Sequence, residues 1–307
     1  MATPEGEQHA FEWTGSPALD PAELAAFATP RSRRRLYLWA GALGAAAGAA
    51  AIAALALGGG GSGPVASTPV SLAAAVTSNE PGYRFTLALN ASGGGVTVAM
   101  TGSGAVNTGA AQSGSMSFTI GDTTVNEVLA GPYIYIQSPA STDTWYRVST
   151  TAFASLAPAG GASLSSGDPA QTLAWLRAAG SVSDEGSRTI GGVATTHYRA
   201  LVDLDRSTAS SSAQQQVYSA KFAQLLEHLT GSATLPVDVW IDGSNLVRRI
   251  QIDLPLSIDS ERLDETVTMN LFDYGPQAAA VPPAGRVTDI TGQISSQLAQ
   301  TLKQLGG

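Results

Sequence analysis

The sequence predicts an α+β domain, a one-sided antiparallel β-sheet covered by helices, preceded by a single transmembrane helix. Three observations carry that expectation. From Tyr83 onward apolar residues recur at every second position, two later stretches switch to helical spacing, and an uncharged run follows a cluster of arginines.

The uncharged run comes first in the chain. Arg31, Arg33, Arg34 and Arg35 stand before LYLWAGALGAAAGAAAIAALAL, from Leu36 to Leu57. At about 1.5 Å per residue this run reaches about 33 Å, enough for a hydrocarbon core of roughly 30 Å. Tyr37 and Trp39 fall at headgroup level beside the arginines. The leucines and Ile52 favour insertion by about 2–4 kcal/mol together, and the alanines add little. A basic cluster stays cytoplasmic. Residues 1–35 are therefore expected as a mostly disordered cytoplasmic tail and 36–57 as the span of a single-pass cell-membrane protein. The alternative is a cleaved secretory signal, with Ser32-Arg33-Arg34 ahead of the run and Ala54 and Ala56 at a small-residue cleavage site. Both readings export the C-terminal part.

Composition fits export. The chain has no Cys and a net charge of −8. Thiol chemistry, disulfides and Cys-ligated metal are excluded. Beyond residue 57 there are 12 Lys+Arg against 19 Asp+Glu. An acidic exported domain is a poor partner for nucleic acid or anionic headgroups. Within the tail, Asp20, Pro21 and Glu23 occupy N-cap, N1 and N3 of one short helix. Residues 58–70 (GGGGSGPVASTPV) are a flexible tether, and 71–290 are long enough for one well-buried domain.

Within that domain Tyr83, Phe85, Leu87 and Leu89 share one face, with Arg84, Thr86, Ala88 and Asn90 on the other. Gly93-Gly94-Gly95 turns the chain, and Val96, Val98 and Met100 repeat the pattern. Met116, Phe118 and Ile120 make a third strand. Thr124–Leu129 and Tyr133–Gln137 flank the Gly131-Pro132 break. Asp168-Pro169-Ala170-Gln171 then signals a helix start, with Gly180 as its stop. Strand spacing resumes at 196–205, where Tyr198, Ala200, Val202 and Leu204 alternate with His197, Arg199, Leu201 and Asp203. Tyr218, Phe222, Leu225, Leu226 and Leu229 form a helical stripe ended by Gly231. A hairpin over 235–254 turns at Gly243-Ser244-Asn245, and Val267, Met269 and Leu271 add one more strand. Residues 291–307 space Ile294, Leu298, Leu302 and Leu305 as an amphipathic helix.

The order from Gly191 to Val287 reads GGVATTHYRALVDLDR, an amphipathic helix, LPVDVWIDGSNLVRRIQIDL, VTMNLFDYG and PPAGRVTDIT. It resembles the LppX/LprG-type cell-envelope proteins of actinobacteria, related in fold to the LolA/LolB lipoprotein carriers. The resemblance implies a strongly curved antiparallel half-barrel wrapped around helices and enclosing an apolar cavity. It also implies carriage or display of lipids, glycolipids or lipoproteins outside the membrane. Many members are anchored through a lipid-modified Cys. This chain has none, and the peptide span takes that place.

Alternation places Phe85, Leu87, Val98, Met100, Phe118, Tyr198, Val202, Val239, Ile252 and Met269 on the inward side. These ten residues are the candidate lining for an acyl chain. A sixteen-carbon chain gains about 12 kcal/mol gross at roughly 0.8 kcal/mol per buried CH₂, so affinity needs no headgroup contact. A filled core uses the same residues.

Catalytic signals are absent from the sequence. There is no G-x-S-x-G, no phosphate loop and no H-E-x-x-H, and His9, His197 and His228 form no ligand pair at helical spacing. Asp203 and Asp205 share a strand face, the ordinary position for solvated carboxylates. Trp240, between Asp238 and Asp242 on the polar face, is a candidate contact residue. The expected function is non-enzymatic, cofactor-free binding of lipid or lipoglycan acyl chains at the cell envelope. The alternative is an envelope-sensing protein that binds a protein partner outside and signals through its span.

Overall fold

The computed structural model describes residues 68–93, 96–108, 113–138, 141–150, 179–203, 227, 230–232, 234–258 and 261–293. They build one large, curved, unclosed β-sheet and a single ten-residue helix against it. No helix among the described residues is long and apolar enough to cross a membrane. The run 36–57 lies outside them, as do the helix expected from Asp168 and nearly all of the two later ones.

Helix α1 (Pro69–Ser78) begins inside the stretch expected as tether. The local reason is a capping box. The Thr68 hydroxyl accepts from the Ser71 N–H, the Ser71 hydroxyl accepts from the Thr68 N–H, and Pro69 supplies the preset φ of the first turn. Val70, Ala73, Ala74 and Thr77 are fully buried, and the helix packs near the strands Ala179–Ile190, Thr234–Asp242 and Val247–Ile258.

The strands are β1 (Gly82–Gly93), β2 (Val96–Asn107), β3 (Ser113–Ile120), β4 (Thr123–Ala130), β5 (Tyr133–Gln137) and β6 (Thr144–Ser149). The second run is β7 (Ala179–Ile190), β8 (Val193–Asp203), β9 (Thr234–Asp242), β10 (Val247–Ile258), β11 (Glu261–Phe272) and β12 (Arg286–Asp289). Their order in space is β12-β6-β5-β4-β3-β2-β1-β11-β10-β9-β8-β7. Two antiparallel meanders, β1–β6 and β7–β11, thus join through β1 and β11, with Phe85 opposite Leu271 and Leu87 opposite Met269. Strand β12 then pairs β6 in parallel. The helix stop expected at Gly180 is replaced by β7, which holds that residue in extended conformation. As a sheet edge β7 carries Asp184, Glu185 and Arg188 on exposed positions, and its register shifts between Asp184 and Ser187. Charge and bulges of this kind discourage edge-to-edge pairing.

The two faces differ as the alternation requires. Inward residues Tyr83, Phe85, Leu87 and Leu89 are at most 6% exposed, whereas Arg84 and Asn90 are exposed. The hairpin expected over 235–254 is present. Its turn holds Asn245 at φ 60°, and Asp242 Oδ1 accepts from the N–H groups of Ser244 and Leu246 at 2.8 and 3.0 Å. At the end of the second expected helical stripe Glu227 and Thr230 are helical. Gly231 follows at φ 77°, its N–H bonding the Glu227 carbonyl at 2.8 Å.

An anchor ties α1 to the sheet. The Val247 N–H donates to Thr77 Oγ1 at 3.0 Å inside the core, and the Tyr274 hydroxyl donates to the Val247 carbonyl. Desolvation by burial pushes the Tyr274 hydroxyl well above its ordinary value, so it stays a donor throughout the accessible range.

Candidate inner-face binding site

Cross-strand register turns the alternating pattern into a continuous surface. Phe118, Gly102, Leu87, Met269, Ile250, Val239 and Tyr198 stand opposite one another in turn, one row running from β3 to β8. The next row is Ile120, Met100, Leu89, Val267, Ile252, Val237 and Ala200. All ten sequence-predicted lining residues therefore lie on this face. Phe85, Leu87, Met100, Phe118, Val202, Val239, Ile252 and Met269 are buried there, while Val98 and Tyr198 are half-buried.

Glycines set how closely the large side chains approach the backbone. A Cβ on Gly102 would stand 2.5 Å from the Phe118 ring. One on Gly104 would stand 2.8 Å from both Met116 Cγ and Phe85 Cε1. The rings and the thioether lie directly on the β2 backbone, where only glycine leaves room.

Two carboxyl groups interrupt this apolar surface, and the sequence pattern did not single them out. Glu127 on β4 stands opposite Met116 of β3 and Ile136 of β5. It is 1% exposed, and neither of its oxygens has a hydrogen-bond partner among the described residues. Desolvation by burial raises its carboxyl well above the ordinary range. Glu265 on β11 stands opposite Ala91 of β1 and Leu254 of β10. Its Oε1 is likewise buried without a partner, and burial pushes the group up to about 7. The signal for both was available in principle. Each sits at an inward position of a strand whose register the flanking apolar residues set, Leu129 for one and Val267 and Met269 for the other.

Comparison with solved structures gives distant likenesses. The chain is similar in structure to LppX-type and LolA-like proteins. The crystal structure of LprF from Mycobacterium bovis matches at TM-score 0.44 and 13% identity, over 74% of this chain and 100% of that one. LppX from Mycobacterium tuberculosis matches at TM-score 0.39 and 15% identity, over 70% of this chain and 100% of that one. A LolA superfamily protein from Nitrosomonas europaea matches at TM-score 0.28 and 10% identity, over 72% and 96%. No family model matches the chain, and no curated protein does. The LppX and LolA names read from the residue order are also among these structural neighbours.

The outer face is polar and internally satisfied. His197 Nε2 lies 2.7 Å from Asp238 Oδ1, and Arg199 donates to both oxygens of the same carboxylate at 3.2 and 3.0 Å. The His197 ring stacks on Trp240 at 4.3 Å and 3°, and the Arg249 guanidinium stands 5.7 Å from the same indole. Trp240, expected as a contact residue, is therefore half-covered by its own neighbours. Asp203 lies in β8, and Asp205 lies outside the described residues. Among the described residues no group of three or more His, Asp or Glu is placed to hold a metal ion. An open polar cleft of about 640 Å³ at the β6–β12 edge, lined by Ser141, Asp143, Thr144 and Arg286, includes none of the ten predicted residues.

Proposed function

We propose that this protein is a non-enzymatic lipid-binding protein of the cell envelope, and that the inner face of its curved sheet holds an acyl chain. The observation that carries the reading is the uninterrupted apolar row from Phe118 to Tyr198 across seven neighbouring strands of an unclosed sheet. Its two ends, β7 and β12, are not paired to each other. An acyl chain needs apolar contact along its length and no fixed hydrogen-bond pattern, and such a row supplies that contact. The sequence resemblance to LppX/LprG-type proteins supports the same ligand class. Residues 36–57 serve as the membrane span in this reading, with 1–35 inside and the sheet domain outside. Lipids, glycolipids or lipoprotein acyl groups are the cargo, for carriage or display.

The test is direct. The full chain, purified from envelopes in amphipol, is analysed by native mass spectrometry and by lipid extraction. One or a few lipid species in fixed stoichiometry are expected. A protein that is always empty and also leaves hydrophobic fluorescent probes unbound sinks the reading.

A further inference from the structure

Glu127 is the residue that the lipid reading leaves unexplained. Strand β4 reads TTVNEVLA, runs between turns at Gly121 and Gly131 with φ of 57° and 58°, and pairs β3 in a register that sets Glu127 opposite Met116. That register points Asn126 outward, where its amide donates to Gln137 Oε1 at 2.6 Å. It points Glu127 inward and leaves Val128 half-exposed on the outer side. A register shifted by one residue would bury Val128 and expose Glu127. The observed arrangement does the opposite, with Leu129 and Ile134 buried beside it.

A buried carboxyl with no partner is costly, and native interiors rarely keep one. Among the described residues nothing in the packing repays this one. Both oxygens meet no donor or acceptor, and the flanking residues opposite it are Met116 and Ile136. Residues that contradict their own strand pattern are expected at functional or strained sites.

We propose that Glu127 is a binding group for the acyl carbonyl of the lipid, donating a hydrogen bond from its carboxyl O–H to that oxygen. The inference rests on the lipid reading above. Its chemistry follows from the ligand. Apart from the headgroup, the polar atoms of an acyl chain are those of its ester or free-acid carbonyl group. A neutral carboxyl has an O–H that can donate to it from an apolar wall. Burial favours the protonated form, which suits a donor to a carbonyl and disfavours a cationic ligand.

Three probes of matched length test it on the full chain in amphipol, stripped of lipid and loaded from cyclodextrin. They are methyl palmitate, palmitic acid and octadecane. The ester-to-alkane affinity ratio of wild type is expected to exceed that of Glu127→Leu about tenfold, the worth of one buried hydrogen bond. Glu127→Leu should still bind octadecane, and Glu127→Gln, which keeps a donor, should keep most of the wild-type ratio. Palmitic acid bound as tightly as the ester extends the site to free acids; weak binding of the acid confines it to esters. If wild type binds none of the three, the lipid reading itself fails. If the ester-to-alkane ratio is the same in wild type and Glu127→Leu, the lipid reading stands and the role of Glu127 falls. Should Glu127→Leu not fold, the infrared carbonyl band of ¹³C-labelled methyl palmitate decides the matter. A band lowered on binding to wild type supports donation from the protein. One at its alkane-solution position overturns it.

Discussion

Glu265 makes a prediction that isolates the inner face from everything else that titrates. Burial raises its carboxyl from an ordinary value of 4.5 to about 7. Folded protein therefore holds this proton over a range where the unfolded chain has released it. Stability falls as pH climbs through that range and levels off above it. At about 1.4 kcal/mol per pH unit, the gap is worth about 3 kcal/mol. Glu265→Gln carries no such penalty at any pH. All other titrating groups, Glu127 included, are common to both proteins and cancel in the comparison. The assay is thermal unfolding of wild type and variant, followed by tryptophan fluorescence from pH 4 to pH 8. Near pH 4 the two midpoints should lie close together. By pH 8 the variant should unfold roughly 6–12 °C higher, taking 2–4 °C per kcal/mol for a domain of this size. A midpoint difference that does not change with pH would refute the burial of this carboxylate, and with it the inward register of β11 at Glu265.

Three further expectations follow from named contacts. Thr77→Val keeps the shape of a fully buried side chain but strips the Val247 N–H of its acceptor. It should cost about 1–3 kcal/mol in denaturant unfolding, and Thr77→Ser should recover most of that. Gly104→Ala places a Cβ 2.7 Å from the Ser115 carbonyl, whereas at Gly114 the nearest atom is 3.1 Å away. The first should therefore lose about 1–3 kcal/mol and the second distinctly less. Val202→Trp fills the inner face beside β9. Lipid content measured on the same sample as the melting midpoint should drop while the protein stays folded, and unfolding without any trade against lipid would mark a solid core.

The strand pattern was legible because a period of two needs no partner to be seen. Tyr83 to Leu89 and Val237 to Ile241 declare a buried face from their own composition. Their inward positions are 6% exposed or less. Strand β7 was not legible. SVSDEGSRTI has hardly an apolar residue to alternate, since an edge strand that is nearly all exposed buries little side chain. Helix α1 was missed for another reason. Its small residues, Ser71, Ala73 and Ala74, pack by closeness and form no bulky stripe, although Thr68-Pro69 and Ser71 carried the capping signal. Trp240 was visible as an aromatic on a polar face. That His197 and Arg249 would close over it depended on β8 and β10 arriving at its two sides.

By itself, then, the sequence determined the acidic character of the domain, much of its strand content and the inward side of the strands that alternate. Those properties are local, written in composition and in residues two apart. Only the tertiary structure decided that β11 returns to β1, so that Phe85 meets Leu271 far along the chain and the two meanders become one surface. The same pairing decided which polar residues that surface would trap. Glu127 and Glu265 look like ordinary strand carboxylates until neighbouring strands close on both sides of them. Once that happens water is excluded, and the energetics of an ionisable group depend on what surrounds it in space, whatever lies beside it in sequence.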